Sequence, residues 1–368
     1  MAALAAGGHR ALFVGGCVRN ALMGLAPGDI DIATDARPEA VMAAAAAAGL
    51  PAHPTGIAHG TVTLVAAGTA HEVTTFRRDV ETDGRRAVVA FSDAEAEDAH
   101  RRDFTMNALY ATAEGEVLDP LGTGLADLAA RRIRFIDRAE DRIREDYLRI
   151  LRFFRFYAWY GTGAPDAEAM AASRALAGGL ALLSGERVWA ETKKLLSAER
   201  PARALAAMAE TGVLARVMPG AEPAGLPPLL AVEPEPAPLR RIVALGGSVA
   251  LLPLSRAEAR HLDDIAAALA ETRGAAVRAA RFGAEAATDA GLIDAARGGP
   301  PLDRGEIARG AVATFPVAAA DLMPPLAPGP ALGSALDRLR EAWFESALRA
   351  DRATLLDSRR SGENGQDP

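Results

Sequence analysis

The spacing of apolar and polar residues changes character along the 368-residue chain. In the first third, short β-branched runs at Ala11 to Val14, Ile30 to Ala33, Thr61 to Val65 and Glu72 to Phe76 are separated by Gly and Asp turns, which predicts strands. Thr61 to Phe76 alternates around Ala67-Gly68 and reads as an antiparallel hairpin. Arg77 to Val89, with Asp83-Gly84 in its middle, reads as a second hairpin or a mobile flap. Pro38 to Gly49 has its proline near the start and its glycine at the end, the asymmetry of a helix. From about Glu140 the apolar period becomes helical, through Tyr160, Ser184 to Ala198, Pro201 to Thr211, Ser255 to Arg273 and Ala331 to Arg349. Proline and glycine clusters at Gly220 to Pro238, Gly298 to Pro301 and Pro324 to Gly333 mark joints, and the polar end from Ser358 to Pro368 is expected to be disordered.

Within this frame two glycines and two aspartates stand out. Leu12-Phe13-Val14-Gly15-Gly16-Cys17-Val18-Arg19 places a strand, then Gly15 and Gly16, then a helix. Bare backbone N–H groups there meet no Cβ, and Arg19 adds a fork of donors, which suits an anion. Taken alone the element is also a plain turn. Asp29 and Asp31 follow in Gly28-Asp29-Ile30-Asp31-Ile32. Both are expected on one strand, sharing a face while Ile30 and Ile32 point to the core. Alone the pair could be a solvated edge. Beside a phosphate loop it implies phosphoryl or nucleotidyl transfer with Mg²⁺, two metals clamping the attacking and leaving oxygens. Glu72, on a later strand whose alternation pairs it with Thr74 on one face, is a candidate third carboxylate.

Two further segments carry charge that patterning does not explain. In Arg101-Arg102-Asp103-Phe104-Thr105-Met106-Asn107, Asp103 is expected to cap a helix with Phe104, Ala108 and Leu109 buried. The arginines suit a triphosphate, and Asp103 or Asn107 could accept from a ribose hydroxyl. The segment Glu145 to Tyr157 is an almost wholly apolar helix apart from Glu145, Asp146, Arg149, Arg152 and Arg155, so those charges are not a solvated stripe. Asp146 and Arg149, three apart, can share a ligand, whereas Arg155 faces elsewhere and could form an internal salt bridge. Cytosine and adenine each present an exocyclic amine beside a ring nitrogen acceptor. Asp146 accepting from the first and Arg149 donating to the second would admit C and A and reject U and G.

Charge and composition narrow the partners. The formal net charge is −7, against general coating of nucleic acid, but it is unevenly placed. Residues 1–130 hold 9 basic and 17 acidic residues, while residues 131–160 hold 9 basic and 5 acidic. The single cysteine, Cys17, excludes an internal disulfide and a cysteine-based zinc cluster, and the six histidines show no metal-ligand spacing. No apolar run reaches the roughly 18 to 20 residues that span a bilayer, and Met1 to Gly8 lacks a signal-peptide pattern, so a cytoplasmic protein without membrane association is expected.

The stretches LFVGGCVRNALMG, DIDIAT, HGTVTLV, EVTTFRRD, RRDFTMNALY, LDPLGTGLADL and EDYLRILRFFRF together resemble the class II CCA-adding tRNA nucleotidyltransferase and bacterial poly(A) polymerase family, within the DNA polymerase beta superfamily. The match is strong over about the first 160 residues, and a weaker run from Ser184-Gly185-Glu186-Arg187 extends it toward Leu214. The resemblance implies an α+β nucleotidyltransferase head over 1–132, then an all-helical neck (133–198), body (199–275) and tail (276–357), the tail contacting tRNA. It implies that Asp29 and Asp31 bind magnesium, that Gly16 and Arg19 contact the triphosphate and Arg102 the nucleotide, and that Asp146, Arg149, Arg152 and Arg155 form the nucleotide template. The substrates implied are CTP, ATP and tRNA. A poly(A) polymerase, a C-only or A-only enzyme, or a non-catalytic RNA-binding relative are the competing expectations, and no feature marks a stable protein partner. Asn20 departs from the family pattern, which often has Asp there; the amide keeps the hydrogen bonds without the charge.

Overall fold

A computed structural model describes residues 1–83, 86–324 and 326–363. The chain divides into two compact units, residues 1–219 with 249–252, and residues 220–248 with 253–368. The division at Gly220 falls inside the expected body.

The first unit is built on a seven-stranded sheet. Its strands are β1 (Ala11–Val14), β2 (Asp31–Thr34), β3 (Ala52–Gly56), β4 (Thr61–Ala66), β5 (Thr69–Thr75), and the two-residue β8 (Tyr110–Ala111) and β9 (Val117–Leu118), in the order β3-β4-β5-β2-β1-β8-β9. The hairpin expected around Ala67-Gly68 is β4–β5. Both turn residues have positive φ, 50° and 77°, the backbone that matches the twist of a two-residue hairpin. β2 pairs antiparallel with β1 and parallel with β5, so Asp31 stands opposite Val14 on one side and Glu72 on the other. A second hairpin joins β6 (Arg77–Asp83) and β7 (Arg86–Phe91), and Gly84 at its expected turn is outside the described residues.

Alternation along the strands feeds two cores. Ile32, Val62 and Val73 pack with Leu4 of α1 (Ala2–Ala6) and Val41 of α3 (Pro38–Ala47); Leu12, Val14 and Ala33 pack with Phe76, Tyr110 and Ile136. α2 (Gly16–Leu22) follows β1 directly, and α4 (Glu95–His100) and α5 (Gly124–Ala129) complete the sheet-bearing part. The helical part then runs through α6 (Ala139–Glu145), α7 (Leu148–Tyr160), α8 (Ala167–Leu176), α9 (Gly185–Leu196) and α10 (Ala202–Glu210). The helix expected without a break through Glu145 to Tyr157 is interrupted at Asp146, which is extended at φ −155°, ψ 108°, because its carboxylate accepts from the Leu148 N–H instead of continuing the helix. Ile150, Phe153, Phe154 and Phe156 bury the rest of α7: Phe153 stacks on Phe135 and meets Phe154 edge-on, and Phe156 packs at a tilt against Phe104.

The second unit is helical, as the loss of strand patterning predicts. The helix Arg256–Ala270 begins at a reciprocal cap in which Ser255 and Glu258 satisfy one another's backbone N–H groups. Val277, Leu322, Trp343, Phe344 and Leu355 form its largest apolar cluster. Arg240 ion-pairs with Glu233 and Asp289 in its interior. The terminal helix Arg352–Glu363 corrects the expectation of disorder over residues 358–363: Leu355 is anchored in the core and Asp351 accepts from the Thr354 N–H, which starts the helix. Residues 364–368 lie outside the described residues.

Candidate active site

One cleft of about 710 Å³ in the first unit gathers residues from the turn after β1, from α2, β2, α7 and α9, and from the loop before Thr105. Its floor is the β1–α2 turn. Gly15 has φ 75° and its N–H donates to the Leu109 carbonyl, so the turn folds against the next strand. A Cβ here would need this disfavoured φ and would sit 3.3 Å from Arg102 Nη1. We therefore expect Gly15→Ala to weaken binding of a polyphosphate anion in the cleft several-fold, measured by equilibrium titration with inorganic pyrophosphate.

One turn further on, the Arg19 guanidinium is buried, yet every partner it has is neutral. Nε and Nη2 donate to Asn20 Oδ1 at 3.1 and 2.9 Å, Nη1 to Asn107 Oδ1, and Nη2 to the Tyr160 hydroxyl at 2.9 Å. The cation lies 4.2 Å above the Tyr160 ring. Burial lowers its pKa, and no carboxylate pairs with it. Here the departure at Asn20 acquires a physical meaning, since Asn holds the guanidinium in place without neutralising it. A buried, oriented cation with no direct carboxylate partner, facing an open cleft, is a receptor for an anion.

The opposite charge enters at Asp29 and Asp31, both in the cleft wall. Asp31 is the first residue of β2, but Asp29 sits in a bend after Gly28, whose φ is 72°. The two carboxylates thus share the cleft because of that turn and not through strand alternation, which corrects the expectation. Ile32 is buried in the core, whereas Ile30 is only half-buried. Burial raises the Asp31 pKa, with Glu72 and Asp29 adding to the rise and Arg102 opposing it. Glu72 is exposed and stands beside Asp31 across the parallel pair; it is not among the cleft-lining residues. Among the described residues no three carboxylate, imidazole or thiol groups converge as a closed cage. Two hard oxygen donors at the edge of an open, cation-lined cleft fit Mg²⁺, which takes one or two carboxylates and completes its shell with water and phosphate.

Arg102 reaches the cleft because Asp98 holds it. The Asp98 carboxylate, 1% exposed, takes Arg101 on Oδ1, and Arg102 and the Tyr110 hydroxyl on Oδ2, at 2.6 to 2.8 Å. Burial would raise its pKa, but the two guanidiniums and the phenol outweigh it and hold it at about 2. Contrary to the expectation of a helix cap, Asp103 caps no α-helix; only a 3₁₀ turn, Thr105–Asn107, follows. Its buried carboxylate accepts from the Phe104 N–H and Asn107 Nδ2, both at 2.9 Å, and from Arg152. Burial is again outweighed, by Arg152 and Asn107, leaving the group at about 2. A continuous chain Arg19–Asn107–Asp103–Arg152 therefore ties the floor to α7. Phe104, Ala108 and Leu109 are buried as expected.

The far wall is the α6–α7 break. Asp146 and Arg149 both line the cleft but do not pair: Asp146 Oδ2 accepts from Arg187 of α9 at 2.7 Å, and Arg149 is held by Glu145 and the Arg142 carbonyl. Arg155 donates to Glu191 at 2.6 Å, the internal salt bridge anticipated for it, while Arg152 lies 3.9 Å from the same carboxylate. The sequence reading missed Asp98 and Arg187. Asp98 precedes Arg101 and Arg102 by three and four residues, a legible helical spacing; Arg187 is 41 residues from Asp146, and no local pattern joins them.

Residues 11–134 match the Poly A polymerase head domain, and residues 164–224 match the probable RNA- and SrmB-binding site of polymerase A. The chain is 44% identical over 217 residues to a CCA-adding enzyme of Geobacillus stearothermophilus, 58% of this chain and 52% of that one. It is 42% identical over 202 residues to the mitochondrial CCA tRNA nucleotidyltransferase 1 of Danio rerio, 54% of this chain and 47% of that one. The chain thus aligns with about half the length of these curated relatives. The crystal structure of the Bacillus stearothermophilus CCA-adding enzyme in complex with CTP superposes with a TM-score of 0.82 at 32% identity, over 99% of this chain and 97% of that one. With its sheet-bearing head, its charged cleft and this near-complete overlap, the chain belongs to the class II CCA-adding enzyme family.

Proposed function

We propose that this protein transfers CMP and AMP from CTP and ATP to the 3′ end of tRNA, releasing pyrophosphate. The observation that carries the reading is Arg19, a buried guanidinium without a carboxylate partner, facing a cleft that also presents Asp29, Asp31, Asp146 and Arg149. Arg19 and Arg102 neutralise the triphosphate, and the Gly15–Gly16 backbone lets it approach. Asp29 and Asp31 would hold Mg²⁺, which when bound supplies Lewis-acid activation of the 3′-hydroxyl and charge neutralisation at the phosphate. Glu72 contributes through its field on Asp31. The location this reading implies is the cytoplasm; among the described residues no helix is long and apolar enough to cross a membrane.

Base choice falls to the far wall. Asp146 accepts from the exocyclic amine of C or A and Arg149 donates to the adjacent ring nitrogen; U and G offer the reverse pattern and leave buried groups unpaired. Arg187 and Glu145 fix the two side chains, and Asp103 and Glu191 do the same for Arg152 and Arg155. Asp146→Ala should therefore lower kcat/KM for CTP and ATP about 10²-fold and narrow their advantage over UTP, read in competition assays.

The decisive experiment is incubation with tRNA lacking its CCA end and all four nucleotides, followed by sequencing of the products. Addition of C, C and A supports the proposal. Long A tracts would favour a poly(A) polymerase, and absence of incorporation a non-catalytic RNA-binding relative.

A further inference from the structure

At the other end of α7, a second cavity of about 400 Å³ opens between the last turn of that helix and the start of α10. Its composition is unlike the rest of an acidic chain. Arg131, Arg200 and Arg203 converge on it against a single carboxylate, Glu199, and all four are exposed. Among the described residues none of the three guanidiniums is ion-paired, although salt bridges occupy most arginines of this unit. Arg203 donates to the Gly163 carbonyl and lies over the Tyr157 ring, contacts that orient it without cancelling its charge. Beside them Trp159 is 47% exposed, its indole N–H fixed to the Lys194 carbonyl at 2.8 Å. A half-exposed aromatic face held in one orientation offers a ready surface on which a base can stack.

The cavity adjoins the active-site cleft. Tyr160 lines it, and the same Tyr160 hydroxyl and ring hold Arg19, which lines the cleft. The two recesses are back to back across one Arg–Tyr stack.

We propose that this cavity binds a single-stranded segment of the RNA substrate, with a base stacked on Trp159 and its flanking phosphates on Arg131, Arg200 and Arg203. Unpaired guanidiniums read the backbone and an aromatic face accepts any base, a combination that grips RNA without demanding one sequence. The inference rests on the proposed reading of tRNA as substrate, since the cavity would hold the primer and not the nucleoside triphosphate.

The test uses the full chain and a tRNA lacking its CCA end. Equilibrium binding is followed by filter retention at several salt concentrations, and turnover with CTP is followed separately. In Arg131→Ala/Arg200→Ala, tRNA affinity should fall about 10-fold or more, and the slope of log affinity against log salt should shrink by roughly 1.4 to 1.8, as expected for two lost phosphate contacts. The KM for CTP and the kcat at saturating tRNA should be unchanged. Trp159→Ala should weaken tRNA binding, and Trp159→Phe should restore most of it. Unchanged tRNA affinity and salt slope in the double variant, or a rise in CTP KM that parallels the loss, would overturn the inference. If the wild-type protein binds tRNA but extends none, the proposed activity fails while the binding measurements still decide the cavity's role.

Discussion

Asp31→Asn should incorporate no detectable CMP, a loss of 10³-fold or more in single-turnover rate, while binding tRNA within two-fold of the wild type. The carboxylate is half-buried at the start of β2, and with Asp29 it is the candidate for holding magnesium at the transferred phosphate. An amide keeps one oxygen but loses the charge that a hard divalent cation needs, and a loss of this size corresponds to about 4 kcal/mol of transition-state stabilisation. Folding should move the other way. Burial together with Glu72 and Asp29 raises the Asp31 pKa, so at neutral pH its ionised form is a cost to the native state without bound metal. The variant should melt at the same temperature as the wild type or slightly above it in metal-free buffer. An inactive but equally stable protein is the signature of a group kept for chemistry. Near-normal turnover would remove the metal assignment.

How much of this was legible in the sequence varied with the range of the interaction. The β4–β5 hairpin, the Gly15-Gly16 turn and the helical second half follow from local periodicity and turn chemistry, so they could be read from neighbours a few residues apart. Arg19 could be marked as an anion-binding group from the same window, but its three neutral anchors are Asn20, Asn107 and Tyr160, and two of those are remote. Asp29 was placed on the right surface for the wrong reason: a turn at Gly28, not strand alternation, brings it beside Asp31. At Asp103, expected to cap a helix, and at Asp146, expected to continue one, a short polar side chain found other partners. Asp103 turned to Asn107 and Arg152, and Asp146 to the Leu148 N–H and Arg187. Both residues still line the cleft, since the apolar stripe of α7 fixes where that wall stands. The positioning groups Arg187 and Glu191 were invisible because helix packing, and no spacing rule, brings α9 against α7.

Another positioning group, Asp98, carries the largest expected effect on stability. Asp98→Ala should destabilise the protein by about 3 to 5 kcal/mol and lower the melting temperature accordingly, because it strands two guanidiniums and the Tyr110 hydroxyl around a buried carboxylate that is 1% exposed. Arg102 would lose its orientation in the same step, so residual folded protein should show a raised KM for the nucleotide. Asp98→Asn, which retains one acceptor oxygen, should fall between the two. The pH dependence gives an independent reading. The folded pKa of about 2 lies below the ordinary value of 3.8, so the carboxylate's contribution is complete above about pH 4 and is lost as pH falls toward 2. Its size from that displacement is roughly 2 to 3 kcal/mol. In denaturant titrations across that window, the wild type should lose this increment while Asp98→Asn, with no charge to titrate, shows a shallower decline. Parallel acid limbs for the two proteins would show that Asp98 is not the group linking the head's stability to protons, and that its guanidinium partners are held by other means.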